Sequence, residues 1–219
     1  MRIGLFGGTF DPIHWGHLRS AEEAREAFSL DRVLFIPTAD PPHKKRPAIS
    51  AAARARMVRL AIAGHKPFRL STVELKRSGK TYTVDTLRYF VARARPEDSY
   101  YFIMGFDAFK DIETWKDFRS IFGLCNLIVT SRPGVDYTQS PSSIPIAVRA
   151  LFCYVAKEKA FRHASGRYLS FLRITDMAIA ASEIRERVAD KKSIRYLVPS
   201  QVEAYILKNG LYRRNVASR

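Results

Sequence analysis

Arg2-Ile3-Gly4-Leu5-Phe6-Gly7-Gly8-Thr9-Phe10-Asp11-Pro12-Ile13-His14-Trp15-Gly16-His17 passes from one kind of periodicity to another within sixteen residues. Arg2–Phe6 is short and apolar and breaks at Gly7-Gly8, the pattern of a buried strand ending in a turn. From Trp15 onward the spacing changes. Leu18, Ala21, Ala24 and Phe28 recur every three or four residues, which predicts a helix with one apolar stripe. The same alternation continues outward. Val33–Pro37 predicts a second buried strand, 38–49 a proline-rich loop, Arg54–Ala63 a helix and Phe68–Leu75 a strand. Val84–Ala94 predicts a helix, Tyr100–Met104 a strand, then a broken helical stretch to Ile121 and a strand over Cys125–Thr130. Ser131–Pro145 is rich in Ser, Pro and Gly and predicts a surface loop. Strands are expected over Leu151–Ala156 and Tyr168–Ile174, and helices over Ser182–Ala189 and Gln201–Lys208. Pro199 stands near the start of the last helix and Gly210 at its C′ position. Strands alternating with helices, each strand apolar throughout, predict an α/β fold with a mainly parallel sheet. No linker divides the chain, so one domain over 1–219 is expected.

The composition sets bounds. Of 219 residues, 47% are hydrophobic and 26% charged, which excludes a disordered or fibrous chain. No apolar run approaches the roughly 18 residues of a membrane span. The opening MRIGLFGGTF carries no apolar leader with a cleavage site, so a cytoplasmic protein without a signal peptide is expected. Cys125 and Cys153 both lie in apolar, strand-like runs and are expected to act as small core hydrophobes in a reducing compartment. With 37 Lys and Arg against 21 Asp and Glu, the net charge of +16 concentrates anions around the molecule. The charge is dispersed, the longest basic run being Lys44-Lys45-Arg46, and no RRM, KH or helix-turn-helix signature appears. Neither a nucleic-acid partner nor a membrane is therefore expected.

In folds of this class ligands sit at the carboxyl ends of strands and at helix N-termini. The first strand delivers residues 7–17 to that edge. Gly7 and Gly8 let backbone approach a ligand closely, and Thr9 offers a hydroxyl and an N–H to a phosphate. His14 and His17 share one helix face, with Gly16 keeping the floor between them open. Two imidazoles beside helix-terminal N–H groups suit a phosphorus centre gathering negative charge. The string is neither a Walker A loop nor GxGxxG. As a zinc site, His14-x-x-His17 lacks a further ligand near it in sequence, so no protein-held metal is expected.

The string also resembles the T/HxGH signature of the nucleotidyltransferase superfamily. Pro41-Pro42-His43-Lys44, Thr81–Leu87, Ile103-Met104-Gly105-Phe106-Asp107 with Thr114-Trp115, Ser131-Arg132-Pro133-Gly134 and Ile179–Arg185 follow in order. Together they are similar to the bacterial nicotinate-nucleotide adenylyltransferase family, from Arg2 to about Tyr212. The resemblance implies a Rossmann-like three-layer α/β/α sandwich. It implies transfer of AMP from ATP to nicotinate mononucleotide, giving deamido-NAD and pyrophosphate, with Mg²⁺ accompanying ATP. Nicotinamide mononucleotide or another phosphate acceptor of the superfamily is the alternative. By the same resemblance His14 and His17 are the catalytic pair. Gly8, Thr9, Phe10, His43, Lys44, Gly105, Asp107, Ser182 and Arg185 lie along ATP. Thr83, Trp115 and Arg132 face the mononucleotide, with Trp115 stacked on the pyridine ring. For Asp107 an N-cap role is an alternative or an addition. The last motif departs from the family's Ile-Ser-Ser-Thr-x-Ile-Arg: Ala180 and Ala181 replace two hydroxyl residues, and Ser182 is expected to supply the cap oxygen.

Overall fold

A computed structural model describes residues 1–40, 47–131 and 141–214. Its elements in chain order are β1 (Arg2–Gly8), α1 (Trp15–Ala27), β2 (Arg32–Pro37), α2 (Ala51–Ala61), β3 (Phe68–Leu70) and α3 (Thr83–Val91). Then follow β4 (Ser99–Gly105), α4 (Phe106–Lys110), α5 (Phe118–Leu124), β5 (Asn126–Ser131) and α6 (Ile146–Arg149). The remainder is β6 (Phe152–Val155), β7 (Ala160–His163), β8 (Tyr168–Arg173), α7 (Ala181–Ala189) and α8 (Ser200–Lys208). The strands form one sheet in the order β3-β2-β1-β4-β5-β8-β7-β6. From β3 to β8 all neighbours are parallel, while β8, β7 and β6 run antiparallel to one another.

β1 is central because its side chains are apolar on both sides. Leu5 points into a core with Ile36, Leu87, Phe102, Phe109 and Phe122, on the side of α3, α4 and α5. Its neighbour Phe6 enters the opposite core with Phe35, Met57, Ile184 and Val202, on the side of α1, α2, α7 and α8. Period-two alternation thus feeds two apolar layers, and the three-layer Rossmann-like arrangement follows. The chain goes from β1 outward to β2 and β3, then returns to β4 on the other flank of β1. That reversal opens a crevice at the carboxyl ends of β1 and β4, where parallel sheets of this type hold ligands.

Several expectations need correction. The strand over Phe68–Leu75 stops at Leu70, and Glu74–Lys76 is a 3₁₀ turn. Glu74 turns inward there, and its Oε1 accepts the Thr86 hydroxyl at 2.8 Å. β7 was not foreseen, since four residues ending in Arg162-His163 give too little alternation to register. Ser131 belongs to β5, a 3₁₀ turn over Pro141–Ser143 lies within the stretch expected to be loop, and α6 follows directly after it. Cys125 is buried, but Cys153 is exposed, because β6 is the sheet's edge strand. Gly210 does adopt the left-handed conformation, at φ +59°, after α8. Among the described residues no helix is long and apolar enough to cross a membrane.

Candidate active site

β1 ends at Gly8, and the chain crosses residues 9–14 before α1 begins. Phe10 takes a positive φ of 49° and is buried. Its ring covers Gly8 so closely that a Cβ at Gly8 would lie 2.8 Å from it. The glycine is therefore demanded by the protein's own packing at this point. Arg54, fully buried on α2, fixes the loop from below. Its guanidinium donates to the carbonyls of Thr9 (2.6 Å), Thr38 (2.7 Å) and Ala39 (3.2 Å). Burial lowers its pKa, and the nearby Asp11 carboxylate works against that fall.

Asp11 is the other anchor. Its carboxylate accepts the Ala48 N–H and the Tyr212 hydroxyl, each at 2.8 Å, and its carbonyl accepts Arg185 Nη1 at 2.7 Å. The start of α1 is tied down as well, by Trp15 N–H donating to the Leu197 carbonyl at 3.2 Å.

On this base stand the two histidines. His14 is the N-cap of α1 and is buried, while His17 lies one turn on. Their ring centroids are 3.7 Å apart. His17 Nδ1 accepts the His14 backbone N–H at 3.3 Å. With Nδ1 accepting, the neutral ring carries its proton on Nε2, which makes that nitrogen a donor. Phe10 meets the His17 ring edge-on at 5.1 Å between centroids. A Cβ at Gly16 would come within 3.1 Å of the His14 ring, so the expected open floor has a steric basis.

These groups line a cleft of about 1230 Å³. Gly8, Thr9, Phe10, His14 and His17 form one wall, Thr83 and Trp115 another, with Gly105, Asp107 and Arg185 also on its surface. Thr83 opens α3, whose N-cap Tyr82 makes no side-chain cap. Trp115 is half-buried, edge-on to Phe102. Beside it Lys116 lies over the Tyr82 ring and pairs with Asp85 at 3.1 Å. Asp107 is not the N-cap of α4. Gly105 is, and Asp107 sits in the first turn near Lys110.

Ser182 departs from expectation. α7 begins one residue earlier, with Ala180 as N-cap and no side-chain cap; Ser182 is exposed and does not line the cleft. With alanine at the cap, the first N–H groups of α7 have no side-chain oxygen, and Ala180 and Ala181 border the cleft instead. His43, Lys44 and Arg132 lie outside the described residues. Sequence reasoning missed Arg54, Asp11 and Tyr212 as supports of the loop. The one signal was Arg54 itself, a charge three and four residues before Met57 and Val58 on an apolar stripe.

Comparison with known proteins identifies the family and the fold. A model of the Cytidylyltransferase-like family matches residues 5–187. A probable nicotinate-nucleotide adenylyltransferase of Geobacter sp. (strain M21) is 46% identical over 213 residues, 97% of this chain and 98% of that one. Another, from Trichlorobacter lovleyi, is 48% identical over 214 residues, 97% of this chain and all of that one. The chain belongs to the nicotinate-nucleotide adenylyltransferase family. Like other adenylyltransferases it is a nucleotidyltransferase enzyme. The fold is shared more widely. The Plasmodium falciparum nicotinic acid mononucleotide adenylyltransferase complexed with NaAD superposes with a TM-score of 0.74 at 19% identity, over 96% of this chain and 97% of that one. The same Plasmodium enzyme complexed with APC gives 0.72 at 18% identity, over 96% of both chains.

Proposed function

We propose that the cleft binds ATP and nicotinate mononucleotide together and joins them into deamido-NAD, with release of pyrophosphate, as a step of NAD biosynthesis. One observation carries this reading: the His14–His17 pair at the start of α1 shares a cleft with Trp115 and the start of α3. The first group suits a phosphate under attack and the second a flat ring. The relatives' names point to the same chemistry.

A phosphate oxygen of the mononucleotide forms a bond to the α-phosphorus of ATP. The bond from that phosphorus to the bridging oxygen of the β-phosphate breaks, and pyrophosphate leaves with the electron pair. No covalent intermediate with the protein is required, so the protein positions the reactants and stabilises charge. His17 Nε2–H and the N–H groups opening α1 face growing charge on the α-phosphate. Arg185 and the uncapped start of α7 serve the departing β- and γ-phosphates. Among the described residues no three His, Cys, Asp or Glu side chains gather into a metal site. Mg²⁺ would enter with the ATP substrate and would offset phosphate charge. Backbone N–H groups at Thr83 and the face of Trp115 take the pyridine.

The test is pyrophosphate release with ATP, Mg²⁺ and each acceptor in turn. Higher kcat/KM with nicotinate than with nicotinamide mononucleotide is expected, since the +16 field favours the more anionic substrate. Equal or higher kcat/KM with the amide overturns the acid preference, and turnover only with phosphopantetheine overturns the pyridine reading. Within that assay, Trp115→Ala is expected to raise KM for the mononucleotide about tenfold and to spare KM for ATP, because lost ground-state binding appears in the KM of the ligand that lost it. A rise in the ATP KM alone would remove Trp115 from the pyridine pocket.

A further inference from the structure

Asp11 precedes His14 by three residues, and both its carboxylate oxygens are committed to the protein. The donors come from far along the chain. Ala48 is 37 residues away and Tyr212 201, while Arg185, 174 residues away, donates to the Asp11 carbonyl. Tyr212 follows α8, and its ring is half-buried against the core beneath α1 and α2. Burial, with the Asp11 charge facing it, holds the hydroxyl far above the ordinary phenol range, so it remains a donor. Arg185 faces two ways: it lines the cleft, and its Nη1 is held by the Asp11 carbonyl. The loop that orients the histidines and the cation that borders the cleft therefore meet at a single residue.

We propose that Tyr212 is a positioning residue for adenylyl transfer: its hydroxyl, through the Asp11 carboxylate, holds the loop that presents His14 and His17 together with Arg185. The proposal rests on the transfer reading given above. Tyr212 touches neither reactant. It acts by removing slack from a loop whose misplacement by about 1 Å would cost on the order of 10²-fold in rate.

The experiment compares wild type, Tyr212→Phe, Asp11→Asn and the double variant by steady-state kinetics, thermal melting and imidazole NMR without substrate. Tyr212→Phe removes one oxygen and keeps the ring. It is expected to lower kcat about tenfold, less than the full cost of a 1 Å displacement, because Ala48, Arg185, Arg54 and the Trp15–Leu197 bond still hold the segment. KM for the mononucleotide should not change, and the His14 and His17 ring resonances should move. The double variant should be no slower than Asp11→Asn alone, as required when one residue acts only through the other. Unchanged kcat and unmoved histidine resonances, with only a lower melting temperature, would show that Tyr212 merely secures its own segment and would overturn the proposal. Losses that multiply in the double variant would overturn it too. If wild type releases no pyrophosphate with nicotinate mononucleotide, the transfer reading falls on that assay. The imidazole spectra of Tyr212→Phe then still decide whether the loop depends on this hydroxyl, and they do so without relying on the Asp11 variant.

Discussion

His17→Ala is expected to lower kcat by on the order of 10²-fold or more, the scale of losing one donor aimed at transition-state charge. The ring is held in place by its neighbours without any substrate. Its Nδ1 is engaged by the His14 N–H, and Phe10 and the His14 ring flank it. Such a donor needs little reorganisation as charge develops, which is where electrostatic catalysis draws its advantage. The fold should survive. The substitution removes a partly accessible ring at the start of a helix, and the deleted hydrogen bond contributes about 1 kcal/mol. Steady-state kinetics with pyrophosphate detection, beside a thermal melt, separate the two effects. A variant that turns over at the wild-type rate would return His17 to the role of a helix cap.

Arg54→Met should damage stability more than any other single change considered. Methionine keeps much of the volume and discards the guanidinium. Three carbonyls, those of Thr9, Thr38 and Ala39, then lose their donor in a buried place. An unsatisfied buried group costs about 1–3 kcal/mol, so a loss of about 3 kcal/mol or more is expected after partial relaxation. Burial lowers the guanidinium pKa, but a group of this type stays protonated over the accessible pH range, so the loss should be nearly independent of pH. Urea unfolding of both proteins at pH 6 and pH 8 checks this. Because Thr9 belongs to the histidine loop, activity should fall as well, even where the variant remains folded. A midpoint shift below about 0.5 kcal/mol, the range of ordinary surface changes, would mean the carbonyls find other partners.

The sheet was legible because its decisive strand is unambiguous. Leu5 and Phe6 are both apolar, which only a strand covered on two faces requires, and they enter different cores. The helix after it was equally clear, since Leu18, Ala21 and Ala24 are all buried. The antiparallel end was less legible. β7 is four residues long, and β6 lies at an edge where Cys153 faces outward despite its apolar neighbours. Of the residues singled out from the sequence, His14, His17, Thr83, Trp115, Asp107 and Arg185 border the cleft, whereas Arg54 and Tyr212, which hold the loop from behind, were missed. At Gly16 an added Cβ would meet the His14 ring, in keeping with its reading as clearance; at Gly8, read as letting backbone approach a ligand, an added Cβ would also meet the Phe10 ring. Ser182 failed for a local reason: α7 starts at Ala181, which moves that hydroxyl past the cap and out to solvent. Asp11, Arg54 and Tyr212 meet only through the fold, and no spacing along the chain announces such a meeting.

The bond between Asp11 and Tyr212 spans 201 residues, and this sets an order in time. At a synthesis rate of about 5–20 residues per second, Tyr212 follows Asp11 by roughly 10–40 s. During that interval the growing polypeptide can pair β1 with β2 and β4, because those partners are already made. The Asp11 carboxylate meanwhile has Ala48 but not the phenol, and its carbonyl waits for Arg185. The sheet can therefore form first, and the reactive corner tightens only once α8 and Tyr212 have been made.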